Sequence, residues 1–146
     1  MMLRKALYQS LTVAVLFVPA MAMTDDDVTL KTIMQGLRDN LVEISDGLLT
    51  EDFALVSRGA SAIAAHPQIP AAQVQLVAAE LGQEMPAFKQ LDTLVHDLSL
   101  ELDAAAKDSD WGAATSAYQQ IFDGCLACHE NYKARVVAAL STRPGQ

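Results

Sequence analysis

The chain has 146 residues, of which 51% are hydrophobic and 5% aromatic, with a formal net charge of −8. That is enough apolar material for one compact core and too little chain for two. The acidic balance repels nucleic-acid phosphates and anionic lipid headgroups, which excludes nucleic acid as a partner and points to proteins that present basic patches.

Residues 1–22 read as a secretory signal peptide. Arg4 and Lys5 precede an apolar run from Leu11 to Val18, and Ala20-Met21-Ala22 offers a small-x-small cleavage site. The run is well short of the roughly 20 residues that cross a bilayer, and no later stretch is longer and apolar, so no stable membrane insertion is expected after cleavage. The mature domain is expected to be 23–146, in a bacterial periplasm. Without the leader's two cations, eight Lys and Arg face eighteen Asp and Glu.

Alanine and leucine dominate the mature domain, a composition that favours helices packed on helices. After an acidic lead-in, Thr24 to Asp27, the spacing predicts a first helix over 28–49. Its stripe is Leu30, Ile33, Met34, Leu37, Leu41, Ile44 and Leu48, at steps of three and four. A second helix is expected from Thr50, with Glu51 and Asp52 in its first turn and Phe53, Val56, Ala60, Ile63 and Ala64 inside. It stops at His66-Pro67, because proline turns the residue before it away from helix.

Pro70 opens a short helix to Leu81, which Gly82 ends. A third long helix starts at Met85-Pro86 and runs to Lys107 on Phe88, Leu91, Leu94, Val95, Leu98 and Leu102. Asp108-Ser109-Asp110 makes a turn. The fourth helix spans 110–140, with Trp111, Ala114, Tyr118, Ile121, Phe122, Cys125, Cys128, His129, Tyr132 and Val136 on its inner side. The expected fold is all-α: an antiparallel four-helix bundle with a short extra helix between helices 2 and 3.

The only two cysteines fall within Cys125-Leu126-Ala127-Cys128-His129. Cys125 and His129, at i and i+4, share the face that carries the apolar stripe, so the cluster is expected to point into the bundle. C-x-x-C-H is the attachment signature of c-type haem. Two thiols add across the porphyrin vinyl groups as thioethers, and the adjacent imidazole reaches the iron. A tetrahedral zinc site needs four donors, and only His66 and His96 remain outside the motif. His66 is expected on the surface and His96 on a solvated face with Asp92 and Asp103. A thioredoxin-like pair needs a strand before it. A disulfide across one turn of helix closes a tiny loop and stabilises little.

The stretch "CLACHENYKARV" (125–136), on the last helix of an exported four-helix chain, resembles the class II c-type cytochromes, the cytochrome c′ and cytochrome c-556 family. There the motif continues C-x-x-C-H-x-x-Y-[R/K], which Tyr132 and Lys133 match. The resemblance implies a bundle with one covalently bound haem c, attached at Cys125 and Cys128, with His129 as proximal iron ligand. It implies an electron-transfer protein rather than an enzyme, served by redox partner proteins. Pairing into a homodimer through apolar helix faces fits the family and is left open. Lys133, four residues past His129, is a cation near the iron ligand, expected to disfavour the ferric state.

The sixth iron position separates two readings. In the c-556 branch a first-helix methionine fills it, and Met34 stands at about that place. In the c′ branch an apolar residue covers the iron, which stays five-coordinate and binds NO or CO; here Leu37 or Leu30 would do so. Where family members often carry Arg-Gln, this chain has Leu30 and Lys31, and Lys31 is expected to serve a haem propionate. Methionine ligation is the leading expectation, with iron held by His129 and Met34.

Overall fold

The computed structural model describes residues 28–141; the expected signal peptide and the tail after Ser141 lie outside them. The described residues form α1 (Leu30–Leu49), α2 (Phe53–Ala64), α3 (Ala71–Leu81), α4 (Met85–Lys107), α5 (Trp111–Cys128) and α6 (Ala134–Ser141). A 3-10 turn at Gly82–Glu84 leads into α4, and a π-helical turn at His129–Lys133 joins α5 to α6. No strand occurs among them. None of these helices is long and apolar enough to cross a membrane.

Capping chemistry explains where helices start. Thr29 and Thr32 cap α1 reciprocally: Thr32 N–H donates to Thr29 Oγ1 at 3.1 Å, and Thr29 N–H to Thr32 Oγ1 at 2.9 Å. Helix α2 begins later than Thr50. Thr50 closes α1, Glu51 takes a φ of 58°, and Asp52 accepts from Leu55 N–H at 3.1 Å as the N-cap. Asp110 caps α5 through Ala113 N–H at 3.0 Å.

The long helices form a bundle. α1 packs on α2, α2 on α4 and α4 on α5, while α3 lies against α6. Each long pair runs antiparallel. A Cβ on Gly59 would meet Ile44 Cγ1 at 2.7 Å and the Asn40 carbonyl at 2.9 Å, so glycine there lets α2 approach α1. Between α2 and α4, Ser57 donates to Asp103 Oδ1 at 2.6 Å, and His96 Nδ1 lies 3.1 Å from the Ala64 carbonyl. Gly124 opposes Val95 where α5 meets α4.

The interior divides in two. The main cluster takes a fully buried residue from each long helix, Ile44, Val56, Leu102 and Ile121. Burying each of these adds about 1.5–3 kcal/mol. A second cluster at one end gathers Leu30, Val77, Leu81, Phe88, Tyr132 and Val136. There α3 and α6 close the bundle, and Arg135 ties them together through Glu80 at 3.2 Å and Glu84 at 2.8 Å.

Several residues assigned inward by the sequence face water instead. Trp111, Phe122, Leu94 and Met34 are exposed. The α1 stripe is wide enough that only part of it can meet α2, and Met34 lies on the outer flank. Trp111 meets Phe53 edge-on at 5.8 Å, covering the end of the main cluster from outside.

Candidate functional site

Helix α5 delivers the cysteine turn. Gly124 sits just before it, and its missing side chain brings α4 close: a Cβ there would meet Val95 Cγ2 at 3.0 Å. Cys125 then borders the main cluster and Cys128 the end cluster. Both are half-buried and not joined to each other. Burial pushes both thiols up from their ordinary pKa; for Cys128 the neighbouring Cys125 and the Asp92 carboxylate add to it. Both are therefore neutral thiols near pH 7, poor thiolate nucleophiles and poor zinc ligands.

The α-helix gives way at the histidine. The π-helical turn from His129 to Lys133 inserts one residue, rotating everything after it by about 100°. That rotation keeps Val136 and Leu140 on the end cluster. Asn131 marks the join: its side-chain amide donates to the Ala127 carbonyl, between the cysteines, at 2.7 Å. Turns of this kind recur at functional sites.

The motif's three side chains do not share one environment. The cysteines point inward, whereas His129 is exposed and its ring has no hydrogen bond or ion pair among the described residues. Its expected burial is corrected. His129 shares an α5 flank with Tyr118, Phe122 and Cys125, a quarter-turn away from the core axis. Tyr132 is buried and meets Phe88 edge-on at 5.6 Å, so it anchors the π-helical turn. Lys133 and Lys31 are exposed.

Helix α1 supplies the facing residues. Leu30 belongs to the end cluster with Tyr132, and Leu37 and Leu41 border the main cluster with Tyr118 and Cys125. Met34 stands one turn from Leu30 and one from Leu37; His129 stands between Cys125 and Tyr132. Each therefore lies near the boundary between the two clusters along its own helix. Met34 belongs to neither cluster and is 38% exposed. Among the described residues α1 and α5 share no seam as extensive as the other three, and Met34, Phe122 and Leu126 leave that edge apolar and exposed.

Sequence reasoning missed one neighbour. His66 is more buried than its loop position suggests: its side chain is 19% exposed, and Nε2 lies 3.8 Å from Asp92 Oδ1. Asp92 in turn adds to the upward push on the Cys128 thiol, so its charge is felt at the cysteine turn. No local signal joins residues so far apart. His96 is likewise half-buried against the end of α2 rather than solvated.

A porphyrin tests well against this donor set. Two unlinked neutral thiols lie one turn apart, an imidazole with free ring nitrogens comes next, and an apolar edge flanks them. No group of three or more His, Cys, Asp and Glu that could hold a metal ion occurs among the described residues, so a tetrahedral protein-only site has no donors. No protein-family model, curated protein or solved structure matches the chain.

Proposed function

We propose that this protein is a periplasmic mono-haem c-type cytochrome that carries electrons between protein partners. The observation that carries the reading is the C-x-x-C-H turn at the end of α5, where two half-buried, unlinked thiols precede an exposed imidazole beside the exposed apolar residues Phe122 and Leu126. Cys125 and Cys128 would tether the haem, and His129 and Met34 would be the ligands of its iron. When bound, such a group supplies a reversible one-electron change at iron.

The chain's own residues do the rest. The half-buried cysteines would fix attachment to the last turn of α5. Tyr132 holds the π-helical turn on Phe88, which sets the direction of His129. Lys133 places a cation one turn past His129 and would favour the ferrous state of an iron held there. Lys31 and Leu30 begin α1 beside the same edge, Lys31 with its charge toward solvent for a propionate. Nothing here requires a substrate to be turned over.

One observation favours a second reading. Leu37 borders the same cluster as Cys125, whereas Met34 stands outside it. An apolar Leu37 over the iron would leave five-coordinate iron able to bind NO or CO. Absorption and spin-state spectra of the exported protein, oxidised and reduced, with and without CO, decide the matter. A low-spin ferric form that ignores CO after reduction supports Met34. A high-spin form that binds CO supports Leu37. A colourless chain overturns both.

A further inference from the structure

A groove runs along the outer junction of α4 and α5, on the flank of α5 away from His129. Leu91, Leu94, Leu98, Gly124 and Ala127 line it, with Gln120 and Asp123. Leu94 is 45% exposed at its lip. On α4, Asp97 and Glu101 come three residues after Leu94 and Leu98, so they share that face. On α5, Glu130 comes after Ala127 by the same step.

Some carboxylates of the described residues are neutralised within the chain and others are not. Asp39, Glu43, Glu80, Glu84, Asp92 and Asp103 all pair with a cation or histidine of this chain. Asp97, Glu101, Asp123 and Glu130 are exposed and enter no ion pair among the described residues. The groove therefore has an apolar floor, an unneutralised acidic rim and no lysine or arginine among its lining residues. Its α5 wall includes Ala127, the residue just before Cys128.

From this we infer that the α4–α5 groove is the docking surface for a redox partner whose contact face has an apolar centre and a lysine- and arginine-rich rim. The inference rests on the electron-carrier reading and adds where the partner sits. A second copy of this chain would bring acidic rim against acidic rim, which opposes pairing there. Unpaired carboxylates steer a basic partner to the groove and raise its association rate, while Leu94 and the floor slow its departure.

The test uses the full exported holoprotein and, as probe, a mitochondrial-type cytochrome c, a small lysine-rich haem protein. Stopped-flow electron transfer and biosensor binding are measured at low and at physiological salt. The D97N/E101Q/D123N triple should lower the second-order rate at low salt about tenfold or more. A control of equal charge change away from the groove, D46N/E51Q/D108N, should lower it no more than about twofold, through net charge alone. L94S should speed dissociation with little change in association rate. Equal losses in the two triples, or no effect of L94S on dissociation, overturn the proposal. The chain's own haem spectrum keeps the two readings apart. A coloured chain with indifferent groove variants sinks the docking surface alone. A colourless chain sinks the electron-carrier reading, and the biosensor comparison still judges the groove.

Discussion

Cys125 and Cys128 stand one turn apart on α5 yet pack against different halves of the interior: Cys125 borders the four-helix cluster and Cys128 the end cluster closed by α3 and α6. A group bonded to both would span the boundary between them. It would then add contacts to each half, which matters in a domain of this size, where burial alone leaves a small margin.

The first prediction concerns that boundary. The C125A/C128A double variant, matured in a host able to attach haem, should lose all red colour that survives denaturation with the chain. It should also give far less folded protein, read by circular dichroism and by yield in the exported fraction. A compact, helical, colourless variant at normal yield would show that the fold does not depend on the thiols.

The second concerns Met34. If its thioether holds the iron, Met34→Leu should convert a low-spin ferric spectrum to a high-spin one and open the reduced protein to CO. Met34 is 38% exposed and outside both clusters, so the substitution should change stability of the haem-free chain by less than about 0.5 kcal/mol. Leu37→Ala, bordering the main cluster, should do the reverse: a clear loss of stability with the low-spin spectrum intact.

These two residues show what is legible in the sequence. Spacing of three and four locates every long helix, and the prolines and Gly82 place α3. The same stripe does not say which of its members face a neighbour, because a helix meets its partners over only part of its apolar arc. Met34, Leu94 and Phe122 therefore read as core and are exposed. The π-helical turn leaves no mark either: a continuous pattern from 110 to 140 conceals one inserted residue. The cysteine motif is legible because its chemistry lies within five consecutive residues, whereas His66 and Asp92 meet only through the tertiary fold.

A third prediction tests the α1–α2 approach. Gly59→Ala would set a Cβ 2.7 Å from Ile44 Cγ1 and 2.9 Å from the Asn40 carbonyl. The backbone oxygen cannot swing aside, so the helices must separate. The expected cost is about 1–3 kcal/mol in urea unfolding, despite alanine's better helix propensity. Gly36→Ala, where nothing lies within 4 Å, should be neutral or slightly stabilising.

The fourth concerns pH. Burial pulls the Asp103 carboxyl upward, but hydrogen bonds from Lys107, Ser57 and Ser61 outweigh it, and its pKa falls below the ordinary value. A carboxylate with a lowered folded pKa stabilises the fold above its unfolded value and loses that contribution as pH falls through the folded one. Wild type should therefore lose part of its stability from below about pH 4 downward. Asp103→Asn should flatten that part of the profile in denaturation curves, while being less stable than wild type at pH 7.

The π-helical turn makes the end of the chain intolerant of changes in length. Elsewhere an added or lost residue can be absorbed, as in the Ala65–Pro70 connection, where no helix runs through. Between Cys128 and Val136 there is no slack: removing one residue would restore a plain helix and swing Val136, Leu140 and Arg135 away from α3. The spacing of the segment after the histidine is thus as much a requirement of this fold as the identity of its residues.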